Sequence, residues 1–220
     1  MTSAQRPTDA SLDERSRARL AEISALESTV DLAQRESYVA ASGWHLDARE
    51  IALPSEAPGE PEPRGTFVVA SEILRAYAFT PKRLITGAFD STAPLLARPM
   101  LLTARFLWVR FELGVRVSRV IDEQRVTDGV GEQVWGYSYH TLSGHVERGE
   151  ITFEIIKVRD TGAIRFRIHS FSQTGHIPNW FYRFGFWLVG RRLQRRFAVQ
   201  SLRNMRRLVI SALEASASVH

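Results

Sequence analysis

The sequence predicts an α+β fold in which a curved antiparallel sheet wraps around a long C-terminal helix, with a helical extension at the N-terminus. Three features predict it: alternating apolar residues in the middle of the chain, short turns between these segments, and an amphipathic pattern near the C-terminus. At 220 residues the chain is long enough for one substantial core and an extension. We expect an extension over residues 1–40, partly disordered and then helical, and one domain over residues 41–215.

The N-terminal part of the chain predicts a helix followed by a strand. Ser11 and Glu14 have the spacing of a capping box, which satisfies backbone N–H groups at the start of a helix. We therefore expect a helix that begins near Ser11, and a first strand over Trp44–Leu53. The apolar residues that recur at roughly helical spacing are Leu12, Ile23, Leu26 and Val30.

A Pro/Glu-rich stretch, Pro54–Arg64, is the clearest break in the chain and predicts a loop. After it, the apolar pattern of Ser71–Phe79 predicts a short helix. Pro81 would end this helix, because proline lacks the backbone N–H that helix continuation requires.

The middle of the chain predicts β-strands. Between Arg105 and Val120 apolar residues occupy alternate positions, which indicates a strand with one buried face, or two strands that meet near Gly114. Asp128-Gly129 and residues 160–162 supply turns, and strands joined by short turns imply an antiparallel meander. The strands predicted after the first turn are Val134–Leu142, Ile151–Val158 and Ala163–Ser172.

The last segment, Asn179–Ala215, predicts a long helix that could break near Gly185 or Gly190. Apolar residues occupy one face and arginines the other, so the helix must lie against an apolar surface. The concave face of the sheet is the large apolar surface available. The apolar face carries Leu193, Phe197, Ala198, Leu202, Met205, Leu208 and Val209; the arginine face carries Arg192, Arg195, Arg196, Arg203, Arg206 and Arg207.

This order of elements is that of the helix-grip architecture of START and birch-pollen-allergen-like proteins, in which sheet and helix enclose a cavity. The stretch Trp135–Glu150 makes the resemblance more specific. The sequence GYSYHTLSGHVERGE resembles the signature GYxYxTLxGHxExGE of the domain of unknown function 1990 family, and FRIHSFS and GRRLQRRFA resemble later parts of that family. The resemblance extends over about Trp44–Val209 and implies the same fold. The matched positions are Gly136, Tyr137, Tyr139, Thr141, Leu142, Gly144, His145, Glu147, Gly149 and Glu150.

Alternate residues of the same stretch predict one wall of a binding site. Trp135, Tyr137, Tyr139 and Thr141 share one face of a strand, whereas His140 and its alternate neighbours share the other. If the aromatic set points inward, it lines a cavity with apolar walls and two phenolic hydroxyls, as a small-molecule pocket requires. The alternative is an ordinary aromatic core whose hydroxyls are bonded locally.

His145, Glu147 and Tyr139 are the candidate catalytic residues, and Glu150 is a further candidate ligand contact. A histidine beside carboxylates can act as a general acid or base. The glycines around them also allow a tight connection in which these side chains only satisfy backbone groups. The spacing is not specific for a metal, so neither a metal nor a cofactor is predicted.

The aromatic segment Ile177–Val189, which includes Trp180 and Phe184, could close the cavity mouth, enter a bilayer interface, or pack against the sheet. From Ile177 onward the chain carries eight arginines and one acid, Glu214, whereas the rest is close to neutral. An anionic membrane surface is therefore one expected partner. The absence of any nucleic-acid-binding motif argues against nucleic acid.

Absent features exclude several classes of protein. The chain has no cysteine, so disulfides, thiolate chemistry and cysteine-bound zinc are excluded. It shows no secretory signal and no long apolar run, which predicts a cytoplasmic protein without a transmembrane helix. Motifs of serine hydrolases, P-loop NTPases, dinucleotide-dependent oxidoreductases and zinc proteases are missing.

These observations favour a domain that binds an apolar or amphipathic small molecule between the sheet and the C-terminal helix. Trp135, Tyr137, Thr141, Glu150, Trp180 and Phe184 would contact the ligand. If the domain also catalyses, acid–base work such as cyclisation, dehydration or isomerisation is expected of His145, Glu147 and Tyr139. Two alternatives stay open: a peripheral membrane module that uses Trp180–Trp187 and the arginine face, and a protein-binding module that uses residues 11–35.

Overall fold

A computed structural model describes residues 13–106, 109–145, 147–174 and 180–218 of the chain. The order of its elements begins with a helix and ends with a long helix, and the strands lie between. The elements are α1 (Glu14–Ser24), two 3-10 turns (Leu32–Ser37 and Ala40–Ser42), β1 (His45–Leu53), α2 (Thr66–Arg75), β2 (Ile85–Ala88), β3 (Pro99–Phe106), β4 (Val109–Thr127), β5 (Val130–Thr141), β6 (Glu147–Val158), β7 (Ile164–Thr174) and α3 (Trp180–Ala217).

The seven strands of the described residues form one antiparallel sheet in the order β1-β7-β6-β5-β4-β3-β2. Strands β2 to β7 follow one another as a meander, and β1 pairs with β7. A bulge between Val117 and Arg119 interrupts the pairing of β4 with β5, and such bulges bend a sheet. Gly136 allows close approach of β6, because a Cβ atom there would lie 2.0 Å from the carbonyl oxygen of Phe153.

The main core lies on the inner, concave face of the sheet, beneath α2 and α3. Helix α2 packs over β5 and β6, and α3 packs over β1 and β7. The ring of Phe79 stands edge-on to Phe153 and Phe166, with centroid distances of 5.0 and 5.3 Å. From α3 the buried residues Ala198, Leu202, Met205 and Val209 confirm the predicted apolar face. This arrangement is the helix-grip fold that the sequence predicts.

Residues 13–44, here called the N-terminal strap, cross the outer face of the sheet. Ile23 of α1 packs over Gly114, where a Cβ atom would lie 3.3 Å from its side chain. Arg116 on β4 donates to the carbonyls of Ser24 and Leu26 at 2.8 and 2.9 Å. Further along, the ring of Trp44 meets Phe171 of β7 at 5.5 Å. The strap therefore contacts the outer face of the sheet from β3 to β7.

The elements differ from the sequence predictions at their ends. Helix α1 begins at Glu14 with Asp13 as its cap, while Ser11 and Leu12 lie outside the described residues. Helix α2 begins at Thr66 and ends at Arg75, earlier than predicted, because Tyr77 takes a left-handed backbone conformation that stops the helix and turns its ring into the core. The backbone of α3 passes through Gly185 and Gly190 without a break.

Strand β4 also passes through Gly114, so the alternating pattern belongs to one long strand that follows the separate strand β3. The short strand β2 was not predicted, because four residues are too few for the alternation to be recognised. In the described part of the chain, no helix combines the length and apolarity needed to cross a membrane.

Candidate functional site

Strand β5 presents two different faces, as the sequence predicts. Trp135, Tyr137 and Tyr139 point to the inner face and join the main core. His140 points to the outer face, where it stands between Arg116 of β4 and Glu150 of β6 in the pairing register. The division follows from the period of two in a strand, because successive side chains lie on opposite sides of the sheet.

Two phenolic hydroxyls meet in the middle of the inner face. The hydroxyl oxygens of Tyr139 and Tyr77 lie 3.2 Å apart, and the ring of Tyr139 packs against Phe153 at 5.6 Å. Burial raises the pKa of Tyr139 to about 12, although the hydrogen bond with Tyr77 acts in the opposite direction. Both phenols are therefore neutral near pH 7 and can donate a hydrogen bond to a ligand atom or to each other.

Tyr137 and Trp135 continue the same row toward the end of α2. The Tyr137 hydroxyl donates to the Leu74 carbonyl at 3.3 Å, and burial raises the pKa of Tyr137 well above its usual range. The guanidinium of Arg75 stacks over the Trp135 ring, 4.7 Å from its centroid. The row therefore changes from phenols inside the core to a cation–π pair at its margin.

Thr141 lies at the end of β5, where it joins the strap to the sheet. Its hydroxyl accepts from the Gly149 amide at 3.0 Å and meets the Thr29 hydroxyl at 2.5 Å. The Thr29 amide also donates to the Thr141 carbonyl. Thr141, which was predicted to contact the ligand, therefore connects the strap to the end of β5.

His145 sits in the turn between β5 and β6. Its Nδ1 accepts from the Glu147 amide at 3.0 Å, so the two residues close the turn through a local bond. Burial lowers the pKa of His145 to about 4. The Tyr139 hydroxyl, by contrast, contacts the Tyr77 hydroxyl. His145 and Tyr139, which were both predicted to be catalytic, therefore contact different residues.

Glu150 lies on the outer face, opposite to the aromatic row. Both of its oxygens accept from Arg35 of the strap, at 2.8 and 2.7 Å, in the bidentate geometry that guanidinium and carboxylate favour. The Ser118 hydroxyl donates to the same carboxylate at 2.6 Å. Glu150 thus anchors the strap and does not share a face with Trp135 and Tyr137.

His140 is buried beneath the strap. The residue is 3% exposed, and neither ring nitrogen has a hydrogen-bond partner among the residues that the structure describes. Burial lowers the pKa of His140, and Arg116 and Arg35 act in the same direction, whereas Glu150 raises it. The sequence analysis placed His140 on the outer face but assigned it no role, because the strap that covers it is distant in sequence.

Arg98 is a buried charged residue that the sequence analysis did not identify, as is Lys157, which pairs with Glu56 at 2.6 Å. Arg98 is 7% exposed, its guanidinium lies 5.4 Å from the centroid of the Phe89 ring, and its Nε has no partner among the described residues. Its charge acts on the Tyr137 hydroxyl and on Arg75. No periodic pattern marks Arg98, because it lies in the loop before β3.

A groove of about 290 Å³ opens between the edge strand β1 and α3. Its floor is apolar and adjoins the main core through Ile51 and Leu202. Its rim is charged, with Arg203 exposed on α3. The lining residues are Arg49, Glu50, Ile51, Val199, Leu202 and Arg203.

The remaining predicted site residues lie on the first turns of α3. The side chains of Trp180 and Phe184 are outside the part that the structure describes, as are those of Arg192 and Arg195. The arginines further along the helix, Arg196, Arg203, Arg206 and Arg207, are exposed. Among the described residues, no group of three or more acidic or histidine side chains is placed to hold a metal ion.

A sheet that grips a C-terminal helix over an aromatic inner face defines a helix-grip protein. The chain belongs to the family described as "Domain of unknown function (DUF1990)", whose family model matches residues 28–204. The match includes part of the strap, all seven described strands and most of α3.

The chain is also similar to one protein in sequence and to two solved structures. The chain is similar to a UPF0548 protein of Dictyostelium discoideum, with 38% identity over 85 residues, which are 36% of this chain and 38% of that protein. Among solved structures it is similar to Ara h 8.0201, with 13% identity, a TM-score of 0.44, and coverage of 77% of this chain and 99% of that one. It is also similar to TTHA0849 from Thermus thermophilus, with 12% identity, a TM-score of 0.45, and coverage of 76% and 99%.

Proposed function

We propose that this domain binds an amphipathic small molecule between the sheet and the C-terminal helix. The observation that carries the proposal is the groove between β1 and α3. Its volume of about 290 Å³ is at the lower end of the range of small-molecule sites. An acyl or similar apolar chain would lie along Ile51, Val199 and Leu202.

The charged rim supports an amphipathic ligand over a purely apolar one. Arg49 and Arg203 line the groove from opposite sides, on β1 and α3. Arg49 also pairs with Asp47 at 3.2 Å, so Arg203 is the rim arginine available to a new anion. A ligand with an apolar chain and a negative head would bury its chain on the floor and leave its head beside Arg203.

Native mass spectrometry of freshly purified protein, followed by denaturation, tests first whether a small molecule copurifies. Titration with dodecanoate and with uncharged dodecyl maltoside then tests binding directly. Val199→Trp should fill the groove and weaken both probes at least about tenfold, as loss of a buried chain of several methylenes would. Val126→Trp, at a position that is 75% exposed on β4, is the matched control.

Arg203→Glu should weaken dodecanoate more than dodecyl maltoside, because only the former carries a negative head. Arg207→Glu makes the same charge change one turn further along α3, at an exposed position outside the groove lining, and should leave both affinities unchanged. Binding of neither probe to the wild-type protein, together with an empty native mass spectrum, would overturn the proposal.

Acid–base work on the ligand by His145, Glu147 and Tyr139 is the further part of this proposal. His145 is neutral near pH 7, since burial lowers its pKa to about 4, and the ligand would have to extend beyond the groove to reach it, because none of the three residues lines the groove. A copurified molecule would be incubated with wild-type protein and with His145→Asn, and its mass and retention followed. Conversion by the wild type that His145→Asn abolishes supports this part, and equal conversion by both contradicts it.

The arginine face of α3 favours an anionic membrane as the second candidate partner, because Arg196, Arg203, Arg206 and Arg207 are all exposed. Sedimentation with phosphatidylserine vesicles at low salt tests it. Binding that is lost when Arg196, Arg206 and Arg207 are replaced together by glutamate supports a membrane role. Absence of binding at low salt rules that role out.

A further inference from the structure

Arg98 is a buried cation without an acidic partner. It is 7% exposed, and no carboxylate of the described residues lies within ion-pairing distance of it. Burial of an unpaired charge is costly, because the interior replaces water with groups that solvate the charge poorly. A buried charge without a partner is therefore a candidate for binding a ligand of opposite charge.

The contacts of Arg98 only partly satisfy its guanidinium. Nη2 donates to the Ala93 carbonyl, and the ring of Phe89 lies beneath the guanidinium carbon. Nε has no hydrogen-bond acceptor in the described part of the chain. Arginine carries five N–H donors in a planar fork, so donors remain for an external oxygen atom.

A second arginine, which is exposed, lies close enough for its charge to act on Arg98. Arg75, in the last turn of α2, stacks over Trp135, and its positive charge lowers the pKa of Arg98, as burial does to a greater extent. Tyr137 acts on Arg98 in the opposite direction. Two guanidinium groups therefore repel one another across the margin of the inner face, beside a phenol.

The nearby carboxylates do not neutralise this pair. Asp90 attracts Arg98 at longer range, but its Oδ1 accepts from the Thr92 amide and hydroxyl at 2.9 and 2.6 Å. Asp122 lies opposite Trp135 in the register and is exposed, and it forms no ion pair with either arginine. Neither Asp90 nor Asp122 therefore forms an ion pair with Arg98 or Arg75.

We propose that Arg98 and Arg75 bind a small oxyanion, a carboxylate or a phosphate, at the margin of the inner face. This site is separate from the groove between β1 and α3, since it lies next to β4 and β5. The planar guanidinium of Arg98 would take two oxygens of the anion, and Arg75 would supply the second charge. The anion is either a free ion or the head of a larger ligand.

Thermal unfolding in inorganic phosphate tests the site without knowledge of the natural ligand. At pH 7.5 and constant ionic strength, replacement of chloride by 10 mM phosphate should raise the Tm of the wild-type protein by about 3–6 °C if the Kd is near 1 mM. Arg98→Met should lose this response. Without phosphate its Tm should equal or exceed that of the wild type, because an uncompensated charge has been removed.

Two further variants control for effects on folding. Arg159→Met removes a different arginine, one that is partly exposed and pairs with Glu60 away from the site, and should keep the full phosphate response. Arg98→Lys keeps the charge but loses the bidentate fork, and should retain less than half of the Tm response. If Arg98→Met fails to fold, Arg75→Met and Arg98→Lys still test the prediction.

The source of the anion is distinguished by ligand length. Dodecyl phosphate that binds at least tenfold more tightly than phosphate, and loses that gain in Arg98→Met, would identify a head group. Equal effects of phosphate and dodecyl phosphate at Arg98 would identify a free ion. A wild-type Tm that responds to phosphate no more than to chloride, or a response retained in Arg98→Met, overturns the site and leaves the groove proposal untouched.

Discussion

Two histidines at the end of β5 are held in the neutral form by burial. Burial lowers the pKa of His145 from 6.5 to about 4, and lowers that of His140 in the same direction. The unfolded chain therefore binds more protons than the folded chain between about pH 6.5 and 4. The stabilisation that the neutral histidines provide is complete above pH 6.5 and is lost as the pH falls through this window.

The first prediction is that the free energy of unfolding falls between pH 6.5 and 4, and that His145→Asn reduces the fall by about 2 kcal/mol. Asparagine keeps an oxygen that can accept from the Glu147 amide but has no titrating group. Urea unfolding at half-unit pH intervals measures it. His45→Gln, at an exposed position on β1, should follow the wild-type curve. Identical curves for His145→Asn and the wild type would contradict the assignment.

The second prediction concerns the phenol pair in the core. Tyr139→Phe and Tyr77→Phe should each cost about 1–2 kcal/mol, because each leaves the opposite hydroxyl buried without its partner. The double variant should cost less than the sum of the two, since no hydroxyl is then left unpaired. Urea unfolding of all four proteins measures the coupling. Strict additivity would mean that the 3.2 Å contact contributes nothing to stability.

At the scale of elements, the attachment of α1 to the sheet depends on the absence of a side chain at one position of β4. Gly114 is not in a left-handed conformation, so its importance lies in space alone: a Cβ atom would be 3.3 Å from Ile23. The small cluster around Ile23 contains Leu20, Leu101 and Leu142 and lies on the outer face. Disruption of this cluster should detach α1 from the sheet, while the main core stays packed.

The third prediction is that Gly114→Val displaces α1, with a cost of about 1–3 kcal/mol from overpacking. Hydrogen exchange should increase at least about tenfold over residues 14–24 and remain unchanged in β6. Gly131→Val is the matched control, because a Cβ atom there has no neighbour within 4 Å. If exchange in α1 were the same in both variants, the packing of Ile23 on Gly114 would not hold the helix.

At the scale of the whole molecule, a charge network on the outer face joins four neighbouring strands. Arg125 of β4 pairs with Glu132 of β5 at 3.1 Å and with Glu154 of β6 at 2.9 Å. Arg165 and His169 of β7 contact the same two carboxylates. Burial raises the pKa of Glu154, but His169 and Arg125 outweigh it and lower that pKa to about 2. Glu154 therefore contributes stability above pH 4.5 that is lost as the pH falls toward 2.

The fourth prediction is that Arg125→Met costs about 2 kcal/mol, because two buried carboxylates lose a partner and keep only one each. Arg159→Met removes an arginine of similar exposure whose acidic partner, Glu60, is itself exposed, and should cost less than about 0.5 kcal/mol. Chemical unfolding at pH 7 measures both. Equal costs for the two variants would show that the network adds no more than a surface ion pair.

The order of elements could be read from the sequence because it depends on local periodicity. The alternation in β5 assigned Trp135, Tyr137 and Tyr139 to the inner face, and the apolar stripe of α3 assigned Leu202 and Met205 to the core. The predicted helix Ser71–Phe79 begins and ends later than the observed helix α2. Tyr77 and Phe79 lie in the loop after α2, and their spacing resembles that of helical residues.

The candidate sites were only partly predictable, because they depend on contacts between distant segments. Glu150 was grouped with His145 and Glu147 by sequence proximity, yet it pairs with Arg35, 115 residues away. Arg98 and Arg75 carry no motif, and they come within electrostatic range of each other only through the packing of α2 and the loop before β3. The groove is formed by both β1 and α3, which lie near opposite ends of the domain in the sequence.

The sequence by itself determined the fold class, the two faces of β5 and of α3, and the membership of the family. These follow from periods of 2 and 3.6 residues and from local motifs, which act over a few neighbours. The tertiary structure decided which polar groups are buried, which charges find partners and which, like Arg98 and His140, do not. Burial and pairing are properties of surfaces brought together from distant parts of the chain, so no local pattern encodes them.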